Sequence, residues 1–167
     1  MRILSSKKFE VHIDKFNLPN GVVVESPYVL HRGSVLIVPF LDRETVILLH
    51  QYRYIIGKWL YEFPAGTIEE GEKPEDTAKR ELLEETGYRS ENLKLVGQMY
   101  PAPGSSTEKM YIFLARDLIE EKPNREEEEI IEVLKLKLTD VIELAKSGQI
   151  EDAKTLATLF YLTHMQL

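Results

Sequence analysis

A mixed α/β fold, with a mixed sheet covered by helices on both faces, is what three observations on this chain predict. Apolar runs of strand length fill residues 34–63 and recur after residue 93, one strongly specified helix interrupts them at 74–86, and two helical patterns end the chain. With 167 residues and 43% hydrophobic content, the chain suits one globular domain with a sizeable core.

Residues 9–14 (F-E-V-H-I-D) alternate, residues 18–21 supply a turn, and residues 22–25 are extended again. An antiparallel β-hairpin therefore opens the chain as an N-terminal extension within residues 1–32. Residues 34–40 (S-V-L-I-V-P-F) and 46–51 (V-I-L-L-H-Q) are nearly continuous apolar runs. They read as buried core strands joined in a hairpin through 41–44. A short strand at 59–63 ends at Pro64-Ala65-Gly66. Past the helix, 93–100 and 110–115 are strands flanking a loop at 101–108, and 130–138 alternates as a half-buried strand. Residues 120–129 read as a charged, proline-containing loop, with disorder as the alternative expectation. Helices follow at 139–147, with Thr139 or Asp140 as cap, and at 152–165 after the turn at Gly148.

The helix at 74–86 carries the chemistry. Pro74 suits a first helical turn, Glu75 and Asp76 favour its positive end, and Gly87 offers a left-handed stop. Ala78 and Leu82, with Leu83 beside them, form an apolar stripe, from which the acids should point away. Glu81, Glu84 and Glu85 fall at i, i+3 and i+4 and crowd together on one side. Arg80, four residues before Glu84, is placed to pair with it. One reading is a solvated acidic helix with a routine ion pair. The other is a cluster of hard oxygen ligands for Mg²⁺ or Mn²⁺, which suits a phosphate substrate.

The net charge of −7, from 21 basic and 28 acidic residues, argues against a nucleic-acid or membrane-surface binder. Eight acidic residues against three basic ones between 66 and 88 favour a cation as the guest there. Cysteine is absent, which removes disulfides, thiolate zinc sites and a thiol nucleophile. The first ten residues lack the apolar core of a signal peptide, and no apolar run reaches membrane-span length, so a cytoplasmic protein is expected.

The segment from 66 to 88 resembles the Nudix box, G-x5-E-x7-R-E-U-x-E-E-x-G-U, where U is a bulky apolar residue. Gly66, Glu72, Arg80, Glu81, Leu82, Glu84, Glu85 and Gly87 match; Tyr88 departs, being aromatic at the last U, which bears on packing more than on chemistry. The resemblance implies an α/β/α Nudix sandwich and divalent-metal hydrolysis of a nucleoside diphosphate linked to another group. Gln51-Tyr-Arg, the run L-Y-E-F-P-A-G at 60–66, Pro103 fifteen residues beyond Tyr88, and G-Q-I-E-D-A-K-T-L-A at 148–157 are similar to the ADP-ribose pyrophosphatase branch.

That branch implies hydrolysis of ADP-ribose to AMP and ribose 5-phosphate. Another nucleotide sugar such as GDP-mannose is the alternative substrate, and a non-catalytic nucleotide-binding module the alternative from another class. By resemblance, Ala65 (through its carbonyl), Glu81, Glu84, Glu85 and Glu129 hold Mg²⁺ or Mn²⁺. Glu127 is the general base, with the run 126–129 leaving the register open by one residue. Arg80 and Glu84 join Glu127 at the reacting centre, while Arg53, Glu62, Pro103, Glu108 and Tyr28 line the substrate side. Some relatives place an arginine where this chain has Ser26-Pro27-Tyr28; Tyr28 offers a ring to stack on a base, or packs. The opening hairpin resembles a segment exchanged between subunits, which implies a homodimer.

Overall fold

The computed structural model of the chain describes residues 1–6, 8–122 and 129–164. In chain order these form β1 (Arg2–Ser5), β2 (Phe9–Asn17), β3 (Val23–His31), β4 (Ser34–Pro39), β5 (Thr45–Arg53), β6 (Lys58–Glu62), β7 (Ala65–Thr67), α1 (Pro74–Thr86), β8 (Tyr88–Arg89), β9 (Asn92–Met99), β10 (Met110–Arg116), β11 (Ile119–Glu120), β12 (Ile131–Lys137), α2 (Leu138–Lys146) and α3 (Ala153–His164).

Two sheets make the centre of the fold. One is mixed, in the order β7-β4-β10-β9, with β4 and β10 parallel; the other is antiparallel, in the order β12-β5-β6. The side-chain period of two explains how one run of apolar residues serves two helical layers. Leu36 and Val38 of β4 and Leu48 of β5 join Val141, Ile150 and Leu159 under α2 and α3. Val35 and Ile37, with Ile47 and Leu49, join Ala78 and Leu82 under α1. The expected helix–sheet–helix layering is thus built from alternate residues of the same strands.

The hairpin expected between 34–40 and 46–51 does not form. The two strands meet at a single bridge, Phe40 to Val46, and then enter different sheets. Their residues are apolar on both faces, so periodicity gives no preference between partners; β4 takes β7 and β10, β5 takes β6 and β12. Asp42 makes the turn between them by accepting the Glu44 and Thr45 N–H groups at 2.8 and 2.7 Å.

The N-terminal extension is larger than the expected hairpin, a three-stranded meander β1-β2-β3. It docks through β3: the Val29 N–H donates to the Ser105 carbonyl (2.8 Å) and the Thr107 N–H to the Val29 carbonyl (3.0 Å). The loop expected at 101–108 is therefore the seat of this sheet. At α2 the capping expectation is corrected. Thr139 and Asp140 lie inside the helix, because β12 runs directly into it and the Leu138 N–H is taken by the Glu44 carbonyl at 2.7 Å. Asp152 precedes α3 and accepts the Thr155 N–H at 2.9 Å, an N-cap. No helix among the described residues is long and apolar enough to cross a membrane.

Helix α1 begins at Pro74 and ends at Gly87, which has φ 76° and ψ 22° and donates its N–H to the Leu83 carbonyl at 2.9 Å. The chain then turns so that Tyr88, the aromatic departure from the box, is buried beside Ala78 and Leu82, with Lys135 over its ring. A side chain at position 87 meets the steric cost of the left-handed region. Gly87→Ala is expected to lower unfolding stability by roughly 1–2 kcal/mol, read as a lower urea midpoint at unchanged slope.

Candidate active site

Strand β7 pairs with β4 through Leu36–Ala65, Val35–Gly66 and Ser34–Thr67, laying the Ala65-Gly66 backbone against α1. Gly66 is required there by its neighbour. A Cβ at that position would lie 1.9 Å from the carboxyl carbon of Glu81, so the acid occupies the space a side chain would need. One turn later, Glu85 accepts the Ala65 N–H at 2.9 Å. Two glutamates four residues apart thus meet consecutive residues of one strand, Glu85 by a hydrogen bond and Glu81 by filling the space over a glycine.

This arrangement corrects the expectation that the acids face away from the apolar stripe. Glu81 is 8% exposed and Glu85 3%, on the same side of α1 as Ala78 and Leu82. The solvated-helix alternative fails for these two; Glu84, at the edge, keeps more solvent. Burial raises the pKa of Glu81, and the charges of Glu84 and Glu129 add to it, against the opposing pull of Arg80. Burial likewise raises Glu85 well above the usual carboxylate range, with Glu81 and Glu129 contributing. Half-buried Glu129, just before β12, is therefore electrostatically part of this cluster.

Arg80 is the hub that makes the crowding tolerable. Its Nε and Nη2 bind the two oxygens of Glu72 at 2.9 and 3.0 Å, Nη1 donates to Glu81 (2.8 Å) and Glu84 (3.0 Å), and Nη2 also reaches the Thr67 carbonyl (3.2 Å). The expected pair with Glu84 exists, but Glu72 is the main partner. The Arg80 guanidinium holds the Glu72 carboxyl at about 2, helped by the Thr77 hydroxyl and the Glu69 N–H and opposed by burial. The box residues Gly66, Glu72, Arg80, Glu81 and Glu85 are thereby accounted for by direct contacts.

Arg53 and Glu62 form a second station. Glu62 is 1% exposed and receives both Nε (2.7 Å) and Nη2 (2.6 Å) of Arg53, and Lys154 of α3 as well. Both Glu62 oxygens are engaged, so this residue orients Arg53 and does not present itself to a ligand. The Glu85 charge contributes to the raised pKa of Arg53, after the Glu62 hydrogen bonds, which couples the two stations. Glu108 accepts the Ser34 hydroxyl at 2.6 Å, and Ser34 pairs with Thr67 beside Gly66, so Glu108 reaches the rim. Pro103 is exposed in the loop that seats β3. Tyr28 is not brought to the cluster: its hydroxyl donates to Asp14 at 2.8 Å and its ring packs edge-on to Phe16, inside the N-terminal sheet. Glu127 lies outside the described residues.

No three acidic or histidine side chains among the described residues converge as a preformed metal cage. Arg80 occupies Glu81 and Glu84 instead. The residues nevertheless fit a hard divalent cation: the donors are all oxygen, two are buried acids, and like charges press on each other. Gln51 Oε1 is buried without a hydrogen-bond donor among the described residues, on the strand face that carries Arg53, and adds an acceptor in the same region. Sequence reasoning did not single out Gln51, Ser34, Thr67, Lys154 or Thr155. The signatures Q-Y-R and D-A-K-T held three of them, without indicating their contacts.

Comparison with known proteins agrees with this geometry. The chain is 37% identical over 163 residues to the ADP-ribose pyrophosphatase of Bacillus subtilis (strain 168), covering 96% of this chain and 88% of that protein. It is 31% identical to the methanol dehydrogenase activator of Bacillus methanolicus (96% and 88% covered) and 31% identical to the GDP-mannose pyrophosphatase of Yersinia enterocolitica (95% and 90%). A crystal structure described as an ADP compounds hydrolase superposes with a TM-score of 0.82 at 26% identity, covering 98% of this chain and 89% of that one. The NUDIX domain model matches residues 30–159, the span from the end of β3 to α3 that carries the buried glutamates and their arginine, and the chain belongs to the NUDIX family.

Proposed function

We propose that this protein hydrolyses the pyrophosphate bond of ADP-ribose, giving AMP and ribose 5-phosphate, with Mg²⁺ as its ion and Mn²⁺ as a substitute. The observation that carries this reading is the burial of Glu81 and Glu85 against the Ala65-Gly66 backbone. Likeness to the B. subtilis ADP-ribose pyrophosphatase supports the choice of substrate. Relatives named GDP-mannose pyrophosphatase favour a second reading, in which GDP-mannose is the substrate of the same reaction.

Glu81, Glu84, Glu85, Glu129 and the Ala65 carbonyl are the proposed holders of the ion. When bound, it supplies Lewis-acid neutralisation of the diphosphate and acidifies water at the site. Arg53, oriented by Glu62, contributes a planar donor group to a phosphate oxygen. Glu127 takes a proton from the attacking water as its oxygen bonds to phosphorus and the bridging P–O bond breaks. Glu84 sits beside this centre, and Arg80, locked by Glu72, keeps Glu81 and Glu84 from swinging into solvent. Glu108 and Pro103 belong to the rim that faces the sugar or base, and Tyr28 reaches a base only if the N-terminal sheet meets the site of a second subunit.

The proposal extends to a single domain over 1–167 and a homodimer with residues 1–32 at its interface, acting in the cytoplasm on a small nucleotide sugar. The exposed Ile3, Leu4, Phe9, Phe16 and Leu30 of the extension support the dimer, since apolar surface of this kind gains from being covered.

A hydrolysis panel of ADP-ribose and GDP-mannose with Mg²⁺, with products identified, tests the reading. AMP and ribose 5-phosphate from ADP-ribose are expected at higher kcat/KM, and preferential cleavage of GDP-mannose would select the second reading. Glu85→Gln should lose about 10²-fold or more in kcat; turnover close to wild type would remove Glu85 from the mechanism. The acid limb of stability tests the lock on Arg80. Because the folded Glu72 pKa is depressed below 4.5 to about 2, its contribution is full above the unfolded value and lost as pH falls through that interval. The melting-temperature advantage of wild type over Glu72→Gln should therefore be constant above about pH 5.5 and shrink between 4.5 and 2.

A further inference from the structure

Helix α3 meets the site through its first turn. The Lys154 ammonium, 19% exposed, donates to Glu62 Oε2 and to Asp152 Oδ1 (2.7 Å), while Asp152 Oδ2 accepts the Thr155 N–H (2.9 Å). The next side chain, Thr155, is fully buried and accepts the Phe63 N–H at 3.0 Å. Glu62 and Phe63 are the residues that lead into Pro64, Ala65 and Gly66. Two consecutive residues of α3 thus hold two consecutive residues at the end of β6.

We propose that Lys154 is a positioning residue for diphosphate recognition, acting through Glu62 on Arg53. The inference rests on the reading of Arg53 as a phosphate-binding group. Glu62 is buried, and a buried carboxylate with a single cation partner is compensated by that partner alone, which holds the two groups tightly to each other. Here two cations share it: Arg53 uses Nε and Nη2, and Lys154 takes the oxygen that also receives Nη2. Nη1 of Arg53 has no part in this pair. Sharing fixes the plane of the Glu62 carboxylate, and with it the guanidinium plane, and leaves Arg53 less fully matched by Glu62. Asp152 fixes the ammonium in turn, so the D-A-K segment forms a chain of contacts from α3 to the substrate side.

Removing Lys154 leaves Arg53 as the remaining cation partner of Glu62 among the described residues. The guanidinium is then held more closely to Glu62 and offers less to an incoming anion. A purely structural role for Lys154 would lower the melting temperature and leave anion affinity unchanged in the folded protein.

Calorimetric titration of the full chain with ADP in Mg²⁺ tests this, comparing wild type, Lys154→Met, Lys154→Arg, Arg53→Met and the double variant Arg53→Met/Lys154→Met. Lys154→Met should weaken ADP about tenfold and Lys154→Arg restore it to within about threefold, while in the Arg53→Met background the Lys154 change should have no further effect. With ADP-ribose as substrate, the loss should appear in KM more than in kcat. Lys154→Gln serves in place of Lys154→Met should the latter not fold. Unchanged ADP affinity in the folded Lys154 variant, or losses that simply add in the double variant, would overturn the inference. Absence of ADP-ribose cleavage by wild type would instead sink the activity reading, and the ADP titration decides the Lys154 question separately.

Discussion

Confinement of like charges governs this molecule. Three glutamates on one helical turn, with two of them buried, would repel each other and favour either protonation or a turn outward into water. The fold prevents the outward turn by geometry: Glu85 is tied to the Ala65 N–H, and Glu81 lies in space that Gly66 leaves open. Arg80 then spreads one positive charge over Glu72, Glu81 and Glu84. A guanidinium suits this task better than an ammonium, since its donors point in fixed directions and can serve several acceptors at once.

The rest of the architecture can be understood as what keeps that turn against that strand. Helix α1 is anchored by Ala78 and Leu82 on a layer formed by alternate residues of β4 and β5, and β7 is held to β4 by strand pairing. On the opposite layer, α2 and α3 cover the other face of the same strands, and Thr155 fixes the end of β6 where it turns towards Pro64. The acidic site is therefore supported from both sides of the sheet. Helix α3, far along the chain, hydrogen-bonds Glu62 and Phe63, the residues that lead into the box.

Sequence patterns exposed the elements far better than their partners. Helix α1 was legible because its signals agree: Pro74 at the start, Gly87 at the stop, and apolar spacing between them. The partner of β4 was not, since Val35, Leu36, Ile37 and Val38 are all apolar and their alternation names no neighbour; the expected hairpin with β5 became one bridge. Strand β7, three residues long, was hidden in what read as the end of β6. At the site, the spacing of Glu81, Glu84 and Glu85 placed them together correctly, yet gave the wrong side for Glu81 and Glu85. Polar residues next to an apolar stripe are normally outward, and what turns these inward is the glycine on another strand. Glu62 read as a ligand contact because it lies in a signature; its burial between Arg53 and Lys154 depends on α3, 92 residues later, which no local pattern reveals. Tyr28 offered a ring by composition, but Asp14 and Phe16 claim it within its own sheet.

These contacts bear on how far one scaffold can choose among nucleotide sugars. In the proposed reaction the buried acids and the Arg53 station address features that ADP-ribose and GDP-mannose share, the diphosphate and its charge, so on that reading they would set reactivity and contribute little to discrimination between bases. The same proposal leaves discrimination to groups at the rim, where Glu108 is tied to Ser34 and where the loop at 101–108 carries the N-terminal sheet. That loop joins two tasks, since its backbone seats β3 at Val29 while its last acid reaches towards the site. The extension is thus joined to the Glu108 loop by a few hydrogen bonds, whereas the glutamates under Gly66 are held by α1 and β7.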